Sequence, residues 1–386
     1  MPDPHTVDSA PLLRSRAELP RVGAHELDAS GGQASSVSRD PGAWSRALGI
    51  SRGALDVYLA ADVVDLHIDS FIWRRLLGYR LHERHGRGLL DGCFYRQSDV
   101  PRLREAHVGG AVWIVTTNPL RGKHGRRTAL LDNLARLEAE LVRGPVAICD
   151  SLASYRACRA RGQHAAFLGI QGGNALELTL DDFDLPAVSA LTLVTLLHFT
   201  RSRIGGPALP RVLQRGPGRL TPFGADYVRK LNERRIMVDL AHMGRSGFWD
   251  VVAVHDKSQP LTISHAACDA VFPHFRNVDD AQIKAVAATG GVIGTIFNTA
   301  FLGGPLFSGR AERIVDHIAH VVRLVGADHA ALGSDFDGAI VPPRDLRTVS
   351  ELPRLAELML RRGLSEHDVH KVLGGSFLRA LSVLRG

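Results

Sequence analysis

Lysine is nearly missing from this chain. It occurs only at Lys123, Lys230, Lys257, Lys284 and Lys371, so the formal net charge of +7 is carried by arginine. The arginines are spread through alanine- and leucine-rich segments, with compact runs only at 74–87 and 121–127. A nucleic-acid footprint needs clustered charge, so no nucleic-acid partner is expected and both runs read as solvated loops or helix faces. Cysteine is scarce too: Cys93, Cys149, Cys158 and Cys268 include no C-x-x-C pair. That argues for buried or free thiols in a reducing compartment and against a disulfide framework. No apolar run reaches the roughly 18 residues of a spanning helix, so no membrane partner is expected. The start, Met1-Pro-Asp-Pro-His-Thr6, lacks a basic region followed by an apolar core. A secretory leader is therefore not expected, and the expected location is cytoplasmic.

What is present is ordinary globular composition, 45% hydrophobic and 23% charged over 386 residues. Such a length suits one large core, since single α/β barrels of this size are common. Residues 1–45 are rich in Ser, Gly, Pro, Asp and Arg without periodicity, and the stretch 29–38 reads as a flexible arm. Residues 46–386 are expected to form a single domain. There, apolar β-branched runs at 63–69, 110–117, 166–171, 193–198, 236–242, 261–265, 291–297 and 330–335 alternate with helical patterns such as 128–143, 222–234, 279–289 and 310–325. Strand–helix alternation builds parallel sheets, and runs in this number favour a closed (β/α)8 TIM-like barrel over an open doubly wound sheet. Thr221 before Pro222, and Asp279, are expected helix caps.

In six of these eight runs a histidine, aspartate or glutamine lies at the carboxyl end: His67 and Asp69, Gln171, His198, His242, His265, and Asp335 with Asp337. Singly, each has an ordinary reading as a hydrogen-bonded histidine or a turn-capping aspartate. Together they fall where barrel enzymes assemble their sites. Alternation places His67 and Asp69 on one face of their strand, and imidazole with carboxylate is a ligand set for zinc or a similar divalent ion. His107, His164, His255, His317, His320 and His329 lie away from strand ends and keep the ordinary reading.

In order and spacing, a longer set of motifs resembles the membrane (renal) dipeptidase family, peptidase family M19, among the amidohydrolase-type barrels. The set comprises Asp65-Leu-His-Ile-Asp69, Gly172-Gly173, 193–198, Leu220-Thr-Pro-Phe-Gly224, Asp239-Leu-Ala-His242, Ser264-His265, Arg276-Asn-Val278, Gly290-Gly291, Gly333-Ser-Asp-Phe-Asp-Gly338 and Gly374-Gly-Ser-Phe-Leu-Arg379. The likeness spans about residues 60–384. It implies that His67 and Asp69 bind one zinc and that His242 and His265 bind a second. It further implies that Arg276 and Asn277 bind the substrate, with Arg276 meeting its carboxylate, that His198 hydrogen-bonds the substrate and its developing oxyanion, and that Asp335 relays a proton to the leaving amine. A homodimer is compatible with the resemblance, although the sequence specifies no interface.

One position departs from that pattern. Where the family carries a glutamate bridging two metals, this chain has Gln171. An amide offers one good oxygen and no charge, so a second ion is expected to bind more weakly, or another divalent metal to be used. The leading expectation is a metal-dependent hydrolase of a small peptide or related amide. The alternatives are a catalytically altered relative that binds a small ligand or partner, and metal-assisted ester or lactone hydrolysis or acyl transfer on the same barrel.

Overall fold

The computed structural model describes residues 40–386, apart from 119, 214, 215 and 217. The strands are β1 (Val64–Ile68), β2 (Gly110–Thr116), β3 (Val146–Ile148), β4 (His164–Gln171), β5 (Leu191–Thr195), β6 (Met237–Asp239), β7 (Thr262–Ala266), β8 (Val292–Thr295) and β9 (Ala330–Leu332). All nine join one parallel sheet. β2 pairs with β4 from Gly110↔Ala165 to Thr116↔Gln171, and β9 returns to β1 at Leu332↔Asp65. Eight strands thereby close a barrel with helices outside, and the open sheet is set aside. Each expected run overlaps one of these strands. The sequence reading missed β3, a three-residue strand. It lies on the first residues of β4, ahead of the point where β5 joins at Leu168.

Both expected caps form. Thr221 Oγ1 accepts the Gly224 N–H at 2.9 Å ahead of the helix Pro222–Glu233, and Asp279 makes a reciprocal capping box with Gln282. The helix Lys123–Leu141 begins earlier than the expected 128, taking the basic run as its first turn. The helix Pro41–Leu48, capped by Asp40, buries Trp44 and Leu48 against Leu55. The expected arm therefore stops short of residue 45, and its remainder lies outside the described residues.

Two apolar layers fix which way the strand side chains point. Val64, Leu66, Val112, Ile114, Phe167, Leu193, Met237 and Val292 fill the barrel interior with Phe377 and Leu381 of the helix Ser376–Leu384. Ile68, Trp113, Val115, Val194, Ile263 and Ala266 face the surrounding helices. Strict alternation from Val64 and Leu66 would send His67 outward. It does not, because β1 carries one extra residue against β2: Asp65 pairs with Ala111, but Ile68 pairs with Trp113. β7 has the same irregularity against β8, Ile263↔Ile293 then Ala266↔Thr295. Such bulges turn a side chain to the other face, and they aim His67 and His265 into the barrel mouth. The alternation argument for His67 and Asp69 is thus corrected: a bulge redirects His67, and Asp69 lies just past the strand. Gly294 and Gly333 make room for the bulged β7, since a Cβ on either would collide with the Ser264 carbonyl.

Candidate metal centre

The strand-end residues converge on one buried cluster. His67, Asp69, Gln171, His242, His265 and Asp335 are each at most 9% exposed. His67 Nε2 lies 3.3 Å from Asp69 Oδ2 and 3.8 Å from Asp335 Oδ1. Ligand atoms of His67, His265 and Asp335 all fall within 4.8 Å of one another. On the other flank, His242 Nε2 and His265 Nε2 are 2.9 Å apart, with Gln171 Nε2 at 3.2 and 3.3 Å from them. His242, Asp335 and Asp337 all have positive φ, at 64°, 62° and 66°. Backbone of this kind costs on the order of 1–3 kcal/mol for a side chain-bearing residue and collects at functional sites.

A second layer of hydrogen bonds orients the donors. Asp239 Oδ2 accepts the hydroxyls of Ser264 at 2.6 Å and Thr195 at 2.5 Å, while its Oδ1 accepts the N–H groups of Ser264 and Ala241. With its one proton committed to Asp239, Ser264 Oγ can only accept from His265 Nδ1 at 2.8 Å and His67 Nδ1 at 3.3 Å. Both histidines then present an unprotonated Nε2 to the centre, the form a metal needs. Asp65 Oδ1 accepts the N–H groups of His67 and Ser334, tying β1 to the loop that bears Asp335. Thr116 donates its hydroxyl to Asp69 Oδ1 at 2.7 Å, with Gln171 Oε1 at 3.2 Å.

Burial pushes His242 and His265 well below the usual histidine range, and the Arg276 charge adds to it. Burial pulls His67 the same way, but Asp69, Asp335 and Asp239 outweigh it and leave its pKa raised. Asp335 is raised well above the carboxylate range by burial, with Asp69 reinforcing and His67 and Arg276 opposing. His198, half-buried behind β5, is pushed down to about 3 by burial and is neutral near pH 7. Its ring sits 4.7 Å from that of His242, edge-on, and its Nδ1 is buried without a partner. Arg276 is buried near the centre and lowered to about 10 by burial, with Asp335 and Asp239 opposing.

The donor set suits a divalent cation. Imidazole nitrogens 2.9 Å apart match two ligands about 2.0–2.1 Å from a shared ion, and the carboxylates lie opposite. Gln171 is the exception, because its amide nitrogen faces the histidines while its oxygen lies toward Thr116. Ligation would require a half-turn of that amide. Asn277 donates its amide hydrogens to the carbonyls of Phe272 and Phe301, bracing the loop beside Arg276. Asp337 is not in the cluster. It accepts from Ser70, Gln97 and Ser98 and ties buried segments far apart in sequence together. His164, His255, His317, His320 and His329 are hydrogen-bonded elsewhere, as expected, and the four cysteines are free and buried.

Sequence reasoning missed Asp239, Ser264, Thr195 and Thr116 as parts of the site. A carboxylate inside an apolar run such as 236–242 is uncommon without a partner, and for Asp239 that was the available signal.

The fold and centre define a barrel metallo-hydrolase, and the comparisons agree. The family model described as membrane dipeptidase, peptidase family M19, matches residues 53–384, and the chain belongs to that family. It is 32% identical over 249 residues to an uncharacterized Klebsiella pneumoniae protein encoded in the pqqA 5′ region, covering 62% of this chain and 89% of that protein. It is 27% identical over 298 residues to dipeptidase tcpJ of Claviceps purpurea, covering 73% and 68%. A crystallised M19 dipeptidase superposes with a TM-score of 0.70 at 25% identity, covering 84% of this chain and 99% of that one. Among the described residues no helix is long and apolar enough to cross a membrane.

Proposed function

We propose that the protein is a zinc-dependent dipeptidase-like hydrolase of a small peptide or related amide, acting in the cytoplasm. The convergence of His67, Asp69, His265 and Asp335 at one barrel mouth supports this reading most strongly. His67, Asp69 and Asp335 would hold one ion, and His242 and His265 a second. Ions bound there would lower the pKa of water and polarise the scissile carbonyl. Arg276, a planar fork, pairs with the substrate carboxylate. Neutral His198 donates its N–H to the carbonyl oxygen as negative charge develops on it. Asp335 takes a proton from the attacking water and returns it to the leaving amine nitrogen.

Gln171 supports a second reading, in which the His242–His265 side stays weakly occupied and the protein binds ligands without hydrolysing them. The experiment is a panel of dipeptides with matched amides and esters, assayed on zinc-loaded protein. Turnover of dipeptides is expected, and Asp335→Asn should lower it about 10²–10⁴-fold, the range for a lost proton relay. No turnover of any member by protein with measured metal content would remove the hydrolase reading. Turnover of esters alone would move it to another reaction class.

A further inference from the structure

Beside the centre a cleft of about 740 Å³ opens between the helices Ser70–Leu77 and Lys123–Leu141, at the carboxyl end of β2. Arg75, Arg121, Arg126 and Arg136 line it, and Asp132 is the carboxylate on its wall. Arg126 is paired with the buried Glu177 at 2.5 Å. Arg75 donates to the Thr116 carbonyl at 2.7 Å, and its Nε is buried with no partner. Among the described residues, none of Arg75, Arg121 and Arg136 forms an ion pair with a carboxylate. Elsewhere the chain pairs its arginines freely, as at Arg102–Asp99, Arg127–Asp182 and Arg219–Asp250. A large cleft in which arginines outnumber carboxylates, with Arg75, Arg121 and Arg136 forming no ion pair, is suited to an external anion.

The cleft meets the centre through one residue. Thr116 lines the cleft, and its hydroxyl donates to Asp69 at 2.7 Å. Arg276 follows β7, across the barrel mouth from β2. A peptide whose carboxylate met Arg276 would cross the metal cluster and extend its amino-terminal residue toward β2.

We propose that the cleft is the subsite for the substrate's amino-terminal residue and selects one whose side chain carries a carboxylate, held by Arg75 and Arg121, with Arg136 adding positive charge further along the cleft. This rests on the hydrolase reading for the orientation of the peptide, and the test separates the two. Glu-Ala and Gln-Ala differ in charge and hardly in shape. Two readouts are taken: kcat/KM on zinc-loaded protein and calorimetric affinity on metal-free protein. The wild type should favour Glu-Ala by about tenfold or more in both, the effect of roughly one 1.4 kcal/mol contact. The preference should shrink in 0.5 M salt, because exposed guanidinium charges are screened. Arg121→Gln and Arg136→Gln, both at exposed positions, should bring it to about threefold or less when combined, and Arg75→Lys should retain part of it. Turnover of both peptides without charge preference overturns the subsite and leaves the hydrolase reading standing. Absence of turnover, with tighter Glu-Ala binding that the arginine variants abolish, overturns the hydrolase reading and keeps the anion site.

Discussion

The two flanks of the centre differ in one property. Around His67 the donors include two carboxylates, Asp69 and Asp335, whereas around His242 and His265 the third group is the neutral amide of Gln171. Geometry is similar on both sides, since each brings donor atoms within about 3–4 Å. Charge is not. Two unit charges 4 Å apart interact by roughly 4 kcal/mol at an effective dielectric near 20, and a divalent ion doubles the stake. A site can thus keep its ligand positions while its affinity becomes one-sided. The His67 flank should fill first and the His242 flank last.

The largest effect should come from removing charge on the filled side. Asp69→Asn keeps the shape and deletes one anionic ligand. Metal-dependent catalysis commonly rests on several kcal/mol of charge stabilisation, so kcat/KM should fall about 10³-fold and the tighter metal equivalent should be lost by elemental analysis. His242→Ala should cost less metal at stoichiometric loading. Equal losses from the two variants would break the comparison.

Next in size is Gln171→Glu, which restores charge on the poor side. The carboxylate offers an oxygen to an ion held by the histidines without needing the half-turn that the amide requires. Affinity for the second zinc should rise about tenfold to a hundredfold, of the order expected when one charge is added near a cation at partial screening. Stoichiometry on dialysed protein should move from near one toward two. A wild type already holding two tight ions would show that the amide serves as well as a carboxylate.

Much of this was legible beforehand because the main signals are local. Apolar runs ending in His67, His198, His242 and His265 announce strands and their carboxyl ends from neighbouring residues alone, and the barrel follows from their repetition. What stayed hidden depends on partners distant in sequence. Asp239 matters because Thr195 and Ser264 donate to it, from 44 and 25 residues away. The bulges in β1 and β7 are offsets between paired strands, so neither strand's own sequence carries them. The amide nitrogen of Gln171 faces His242 and His265, 71 and 94 residues away. The arginine cleft was visible only as two scattered basic runs, because Arg75 and Arg136 come together only when their helices pack.

The smallest effect tests whether the flanks are independent at all. Ser264 Oγ accepts Nδ1–H from His67 on one flank and from His265 on the other, and passes its own proton to Asp239. Ser264→Ala leaves every metal ligand in place and frees both rings to rotate or change tautomer. Losing a partner that orients a metal-bound histidine costs about 10–100-fold in affinity or activity. The loss here should sit near the lower end, because the bulges and the Asp65 contacts still hold the backbone. Metal titration should show both sites weakened by similar factors, with the order of filling unchanged. If only the His67 site weakens, the 2.8 Å bond to His265 contributes little to that ring's orientation, and the two flanks respond separately. If affinity is unchanged at both, the assigned tautomers are held by something other than Ser264, and Asp239 must be serving the fold of β5, β6 and β7 alone.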